Sequence, residues 1–412
     1  VITRRSLLKL SSMAAASTAL SRHAHGLGKA DYAIEIAPYT LELSPKHSIR
    51  TIAYNGQVPG PLFRFKEGQP VTIDVTNRSE SEEIVHWHGL FLPPEVDGAM
   101  EEGTPMIPLG GTARYQFTPR PAGFRWYHTH TFAGTDLRKA QYTGQHGFLF
   151  IEPSQNPGRY DQEFFLALHD WDGEMTGSGD GSMNPEYRYS TINGKALGFG
   201  EPMRVKPRQR VLLHILNSSP TEQHWLALAG HTFRVVALDG NPVPNPSSVP
   251  MLRLAPAERV CAEVEMNNPG VWVLGEVRRH IQAAGMGLIV EYAGNIGKPK
   301  WNQPESLIWS YGQFGAAAQP PTKESPIDIP LVFESKFAGH GAPDHWTING
   351  KSWPDAATIP LVRGQRYRLK FKNPSSDDHP VHLHRHSFEL RSLPRSSEAR
   401  GILKDVVLVE AG

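Results

Sequence analysis

The run Glu67-Gly68-Gln69-Pro70-Val71-Thr72-Ile73-Asp74-Val75-Thr76-Asn77 decides the fold, because degenerate copies of it occur twice more. They are Pro207-Arg208-Gln209-Arg210-Val211-Leu212-Leu213-His214-Ile215-Leu216-Asn217 and Arg363-Gly364-Gln365-Arg366-Tyr367-Arg368-Leu369-Lys370-Phe371-Lys372-Asn373. Each opens on basic or glycine-bearing residues, continues with the pattern of a half-buried strand, and ends on an Asn close to Ser. Each is preceded by Asn-Gly, at Asn55-Gly56, Asn193-Gly194 and Asn349-Gly350. Those intervals fit three all-β sandwich domains of about 100–150 residues. The 35 prolines and 38 glycines, without a long helical pattern, agree with many short strands and turns. Domain one is expected over 31–155, domain two over 156–296, a linker rich in Pro, Gln and Ala over 297–324, and domain three over 325–412.

Composition narrows the function. A formal net charge of +1 with interspersed charges offers no basic patch, so no nucleic acid partner is expected. The single cysteine, Cys261, excludes an internal disulfide framework, and strand alternation makes it a buried core thiol. Thr3-Arg4-Arg5-Ser6-Leu7-Leu8-Lys9 is a twin-arginine pattern, followed by a mildly apolar stretch from Leu10 to Leu20. That stretch is too short and too weakly apolar to anchor the chain in a bilayer. Residues 1–30 are therefore read as a twin-arginine signal peptide. The protein is expected to be periplasmic or otherwise exported, not membrane-embedded, with the export machinery as a partner; a monomer is favoured.

The histidines carry the chemistry. They form His86-Trp87-His88-Gly89, His128-Thr129-His130 and His379-Pro380-Val381-His382-Leu383-His384. A strand places side chains i and i+2 on one face, so each His-x-His aims two imidazoles at a common point. His379 stands three residues before His382 and faces the other way on a regular strand, which points to a separate site. Imidazole suits both copper and zinc. Superposing the repeats puts His379 on His224 and Glu83, His382 on Ala227 and His86, and His384 on Ala229 and His88. The middle copy thus has alanines where its siblings have paired imidazoles, as a metal cluster between domains one and three would require. In the same register Glu276 of domain two stands where a thiolate ligand would be needed. His280 and Met286 are read there as vestiges, and domain two as a spacer that binds no metal.

These motifs resemble those of the three-domain multicopper oxidases, laccase-like and copper-efflux-oxidase-like, over nearly everything from about residue 31 onward. The resemblance implies an all-β chain of three consecutive cupredoxin-like Greek-key sandwiches. It implies that His86 and His382 hold a type 2 copper, and that His88, His128, His130 and His384 hold the type 3 pair. His379 would be a type 1 ligand. Asp97, eleven residues beyond His86, occupies the place of an acid that supplies protons to the cluster; its Asp-Gly setting is also a strong turn signal. The implied activity is one-electron oxidation of a phenolic, aromatic amine or metal-ion donor, coupled to reduction of dioxygen to water. With only nine methionines and no Met-rich insert, a dedicated cuprous oxidase is disfavoured.

Two departures from the family pattern stand out. Arg385 replaces the glycine that usually follows His384. No His-Cys-His motif occurs within the 412 residues, so the third sandwich is expected to be incomplete, the type 1 site to lack its thiolate, and the chain as it stands to be inactive. An exported, non-catalytic cupredoxin-fold binding or scaffold protein is the alternative reading. A zinc hydrolase is weaker, because Thr131-Phe132-Ala133 offers no acidic continuation.

Overall fold

Three Asn-Gly turns are built to one pattern. In the computed structural model Asn55, Asn193 and Asn349 have φ of 52°, 53° and 51°, and each is followed by a glycine of positive φ. Asn tolerates this left-handed region and Gly has no Cβ to clash. In each turn the Asn side chain also clamps a neighbouring strand. Asn55 binds Glu35 N and Ala33 O, Asn193 binds Ala167 N and Phe165 O, and Asn349 binds Val332 N and Pro330 O, all at 2.6–3.1 Å. The structure describes residues 28–134, 136–154, 160–177, 183–305, 308–316, 326–336, 345–393 and 399–412. The twin-arginine pattern and most of the expected leader lie outside the described residues.

Domain one comprises β1 (Tyr32–Ser44), β2 (His47–Tyr54), β3 (Gly60–Lys66), β4 (Val71–Asn77), β5 (Val85–His86), β6 (Thr112–Phe117), β7 (Gly123–Thr129) and β8 (His146–Glu152). They form two four-stranded sheets, ordered β2-β1-β4-β6 and β3-β8-β7-β5. In β4, Val71, Ile73 and Val75 are buried while Thr72, Asp74 and Thr76 are only partly covered, so alternation became one inward face. These side chains meet Ile34, Ile36, Trp87 and Tyr127 in the core. Each such burial stabilises the sandwich by roughly 1.5–3 kcal/mol.

Domain two comprises β9 (Gln162–Trp171), β10 (Glu174–Gly177), β11 (Met183–Glu186), β12 (Tyr189–Ile192), β13 (Met203–Val205), β14 (Arg210–Asn217), β15 (His224–Leu228), β16 (Phe233–Leu238), β17 (Asn241–Val249), β18 (Leu252–Leu254), β19 (Arg259–Glu265), β20 (Val271–Glu276) and β21 (Gly287–Tyr292). Its main sheets run β12-β9-β14-β19-β16-β17 and β13-β21-β20-β15-β18. Tyr311 and Phe314, within the expected linker, are buried in this domain's core. Their aromatic area outweighs the Pro- and Gln-rich composition around them, so the chain is packed at these two rings.

Domain three comprises β22 (Ile327–Lys336), β23 (His345–Ile348), β24 (Tyr367–Lys372), β25 (His379–His382), β26 (Phe388–Glu389), β27 (Leu403–Lys404) and β28 (Val406–Val409). The described residues form one three-stranded sheet and two two-stranded ladders. The repeat strands enter equivalent parallel pairings: β4 with β1, β14 with β9, and β24 with β22. The terminal Asn of each repeat is equally consistent. Asn77 donates to Ser81 O and Ile107 O, Asn217 to Glu222 O and Leu254 O, and Asn373 to Asp377 O and Val409 O. Among the described residues the protein is nearly all β, with 49% strand and 5% helix.

Candidate metal centre

Pairing of β5 with β7 sets His86 opposite His128 in domain one. Pairing of β25 with β28 holds His382 opposite Val406 in domain three. The two domains press these edges together. The ring of His86 stacks on His384 at 4.2 Å between centroids, and that of His88 on His382 at 3.7 Å. His86 also lies 5.2 Å from His128 and 5.4 Å from His130. Six of the seven candidate ligands thus share one volume. His379 does not join them: it packs against Trp346 and Phe333, and its Nε2 lies 3.1 Å from Ser375 Oγ.

Hydrogen bonds fix which nitrogen of each ring carries its proton. A carbonyl can only accept, so His86 Nδ1 donates to Asp97 O (2.8 Å) and His382 Nδ1 to Asp405 O (2.8 Å). Their Nε2 atoms are left buried and without a partner. His128 Nδ1 donates to Thr129 O (2.7 Å), and His88 Nε2 to Asp405 Oδ1 (3.2 Å). That leaves His128 Nε2 and His88 Nδ1 facing each other at 3.3 Å with a lone pair on each. Burial pushes the pKa values of His86, His88 and His128 down, so no proton fills this gap near neutral pH; His130 and His382 are pushed down to about 3, again chiefly by burial. Unpartnered lone pairs converging in a buried space are what a soft or borderline cation would satisfy. Triplets of these groups, among them His86, His382 and His384 and also His86, His88 and His128, bring their donor atoms within 4.8 Å of one another. The donor set fits copper.

Asp97 ends a helical turn, Pro94–Asp97, and is fully buried. Gly98 follows at φ 95°, and a Cβ there would run into Val85 O and His86 Cα. The Asp-Gly turn is thus present, and it sets the Asp97 carboxylate beside the histidine cluster. Asp97 Oδ2 accepts from His384 Nδ1 (3.0 Å) and lies 3.3 Å from His86 Nδ1. Burial works against the charged carboxylate, yet the two histidines outweigh it and hold the acid below its usual range. Oδ1 has no partner.

Sequence reasoning missed Asp405, the counterpart of Asp97 across the domain interface. Each aspartate gives its backbone carbonyl to the first histidine of its own pair and its carboxylate to the second histidine of the other pair. Position offered no signal, because Asp405 lies 23 residues beyond His382 whereas Asp97 lies 11 beyond His86.

Three multicopper oxidase family models match residues 36–156, 164–288 and 327–412. The multicopper oxidase MmcO of Mycobacterium tuberculosis is 30% identical over 402 residues, covering 88% of this chain and 76% of that one. The chain belongs to the multicopper oxidase family. Copper resistance protein A of Pseudomonas syringae pv. tomato is 30% identical over 265 residues, covering 52% of this chain and 42% of that one. A solved structure of a multi-copper oxidase from Pseudomonas thermotolerans shares the fold, with a TM-score of 0.72 at 23% identity over 93% of this chain and 91% of that one. Members of this family are copper-dependent oxidoreductases that use oxygen.

Four features of this multicopper oxidase concern residues outside the six-histidine cluster. Cys261 is buried in domain two with its sulfur 3.2 Å from His214 Nδ1, and burial pushes its thiol up to about 12. It is no partner of His379. In the middle copy His224 sits between Asp170 Oδ2 (2.9 Å) and Glu276 Oε2 (3.1 Å), so the repeat-equivalent position is filled by an ion pair. Arg385 adopts the left-handed conformation (φ 61°) that glycine would favour, and its guanidinium lies 2.6 Å from Glu102 of domain one. Asp378, just before His379, accepts from Gln223 of domain two (2.7 Å) and so is engaged in an interdomain contact.

Proposed function

We propose that this protein couples one-electron oxidation of a phenolic, aromatic amine or metal-ion donor to reduction of dioxygen to water. The observation that carries the reading is the set of inward lone pairs on His86, His88, His128 and His382, contributed by domains one and three together. His86 and His382 would hold the type 2 copper, and His88, His128, His130 and His384 the type 3 pair. Bound copper supplies the one-electron redox chemistry that joins the donor to dioxygen. His379, on the opposite side of β25, is assigned to the type 1 site.

The chain's own residues do the rest. Asp97 and Asp405 orient the imidazoles through their carbonyls and so keep the Nε2 lone pairs of His86 and His382 directed inward. Reducing one dioxygen to two waters consumes four protons. Asp97 is placed to hand them on at its unpartnered Oδ1, next to the edge of the cluster where His130 is 28% exposed. The buried His88 side, at 2% exposure, excludes water.

Export by the twin-arginine pathway to the periplasm is part of the proposal, supported by Arg4-Arg5 and the mildly apolar stretch from Leu10 to Leu20. No helix among the described residues is long and apolar enough to cross a membrane. The 412 residues supply no type 1 thiolate, so the test is oxygen uptake with a phenolic donor by the copper-loaded chain extended through a His-Cys-His motif, alongside its Asp97→Asn variant. The carboxamide of that variant keeps the shape of the acid but cannot carry the proton. Turnover is expected to fall about 10²–10⁴-fold with copper content retained; equal turnover would remove Asp97 from the proton path.

A further inference from the structure

Domain two contributes none of the six clustered imidazoles, yet its Arg259 reaches the cluster's support. Both terminal nitrogens of Arg259 lie 2.6 Å from the two carboxylate oxygens of Asp405, and neither residue has measurable exposure. Asp405 in turn holds His88 through Oδ1 and His382 through its backbone carbonyl. The grip is reinforced from both sides. Asp239 Oδ2, also of domain two, accepts from the backbone N–H groups of Asp405 and Val406. Arg125, on β7 of domain one, lies 3.5 Å from Asp405 Oδ2. Gly89, directly after His88, has φ 83°, and a Cβ there would come within 2.7 Å of Asp405 Oδ2 and 2.9 Å of an Arg259 nitrogen. The backbone of the His86–His88 pair is thus seated against the Arg259–Asp405 contact itself.

We propose that Arg259 is a positioning residue of the metal centre: its two-pronged grip on Asp405 sets the orientation of His88 and His382. The proposal rests on the copper reading above. It gives domain two a part in the site beyond that of a spacer. A bidentate guanidinium fixes a carboxylate in plane and direction, which a single ammonium cannot do. The fixed carboxylate keeps the proton of His88 on Nε2 and its lone pair on Nδ1, facing His128.

The test titrates Cu(II) into the full chain and into its Arg259→Lys and Glu276→Gln variants, reading copper affinity and the EPR spectrum. Lysine keeps the charge and loses the two-pronged geometry. Glu276 belongs to the His224 ion pair and touches none of the six imidazoles, so Glu276→Gln reports loss of domain-two stability alone. Arg259→Lys is expected to bind copper about 10–100-fold more weakly with an altered hyperfine pattern, while Glu276→Gln matches the wild type in both. Wild-type behaviour of Arg259→Lys, or equal losses in the two variants, would overturn the proposal. Asp405→Asn provides a second arm should Arg259→Lys not fold. It removes the charge that Arg259 grips and is expected to lose affinity by a similar factor; unchanged affinity there would also overturn the proposal. Where both fold, the double variant is expected to lose no more than the worse single one, because both act on one contact. Failure of the wild type to bind copper at the six histidines would instead overturn the metal centre, so the two failures read differently.

Discussion

Raising the pH through the range from neutrality to about 10 is expected to weaken domain two, because a buried charge then disappears. His224 has no exposed surface and is held between Asp170 and Glu276 at 2.9 and 3.1 Å. Burial alone would favour the neutral ring, but the two carboxylates outweigh it and raise the pKa to about 9. An unfolded histidine titrates near 6.5. The folded value lies above the unfolded one, so the stabilisation is fully present below about pH 6.5 and is lost as pH rises through about 9. The gap corresponds to about 3 kcal/mol, undiminished by solvent because the group is buried. Urea unfolding followed at a series of pH values would measure it, with the titration of the His224 ring by NMR as a direct check. In Glu276→Gln one of the two carboxylate charges is gone, so the ring should titrate lower and the pH slope should shrink. A wild-type stability that stays level from about pH 6.5 to 10, or an unchanged slope in Glu276→Gln, would refute the ion-pair reasoning.

Further outcomes follow from single contacts. Gly98→Ala should cost at least about 2 kcal/mol and impair copper binding, since its Cβ would run into the strand that carries His86; thermal melts with copper counting check it. Asn217→Ala should destabilise by about 2–4 kcal/mol in urea, because the buried carbonyl of Leu254 and the half-buried one of Glu222 lose their donor. Cys261, its thiol pushed up to about 12, should resist an aromatic disulfide reagent at pH 8 in the native protein and react on unfolding.

Much of this molecule was legible because it is repeated. Asn55, Asn193 and Asn349, and likewise Asn77, Asn217 and Asn373, do the same work in each copy, so sequence periodicity translated directly into strand and turn. The superposition of Glu83, His224 and His379 is realised physically: Ser79, Ser219 and Ser375 each place a hydroxyl against one of them, at 3.0–3.4 Å. His-x-His spacing was equally readable, since two imidazoles on one strand face depend only on local geometry. Asp405 and Arg259 were not readable. Their roles depend on how three domains meet, and nothing in Leu403-Lys404-Asp405-Val406 or Glu258-Arg259-Val260 distinguishes them locally from other charges beside a strand. The packing of Tyr311 and Phe314 was hidden for a related reason, because two aromatics in a Pro- and Gln-rich stretch declare no surface to bury against until the neighbouring domain supplies one.

The most direct test of the copper centre is a crystal of the copper-loaded protein measured at the copper absorption edge. Anomalous density is predicted within bonding distance of His86 Nε2 and His382 Nε2, and between His88 Nδ1 and His128 Nε2, with none at His224. Copper bound elsewhere while those four nitrogens remain bare would contradict the account.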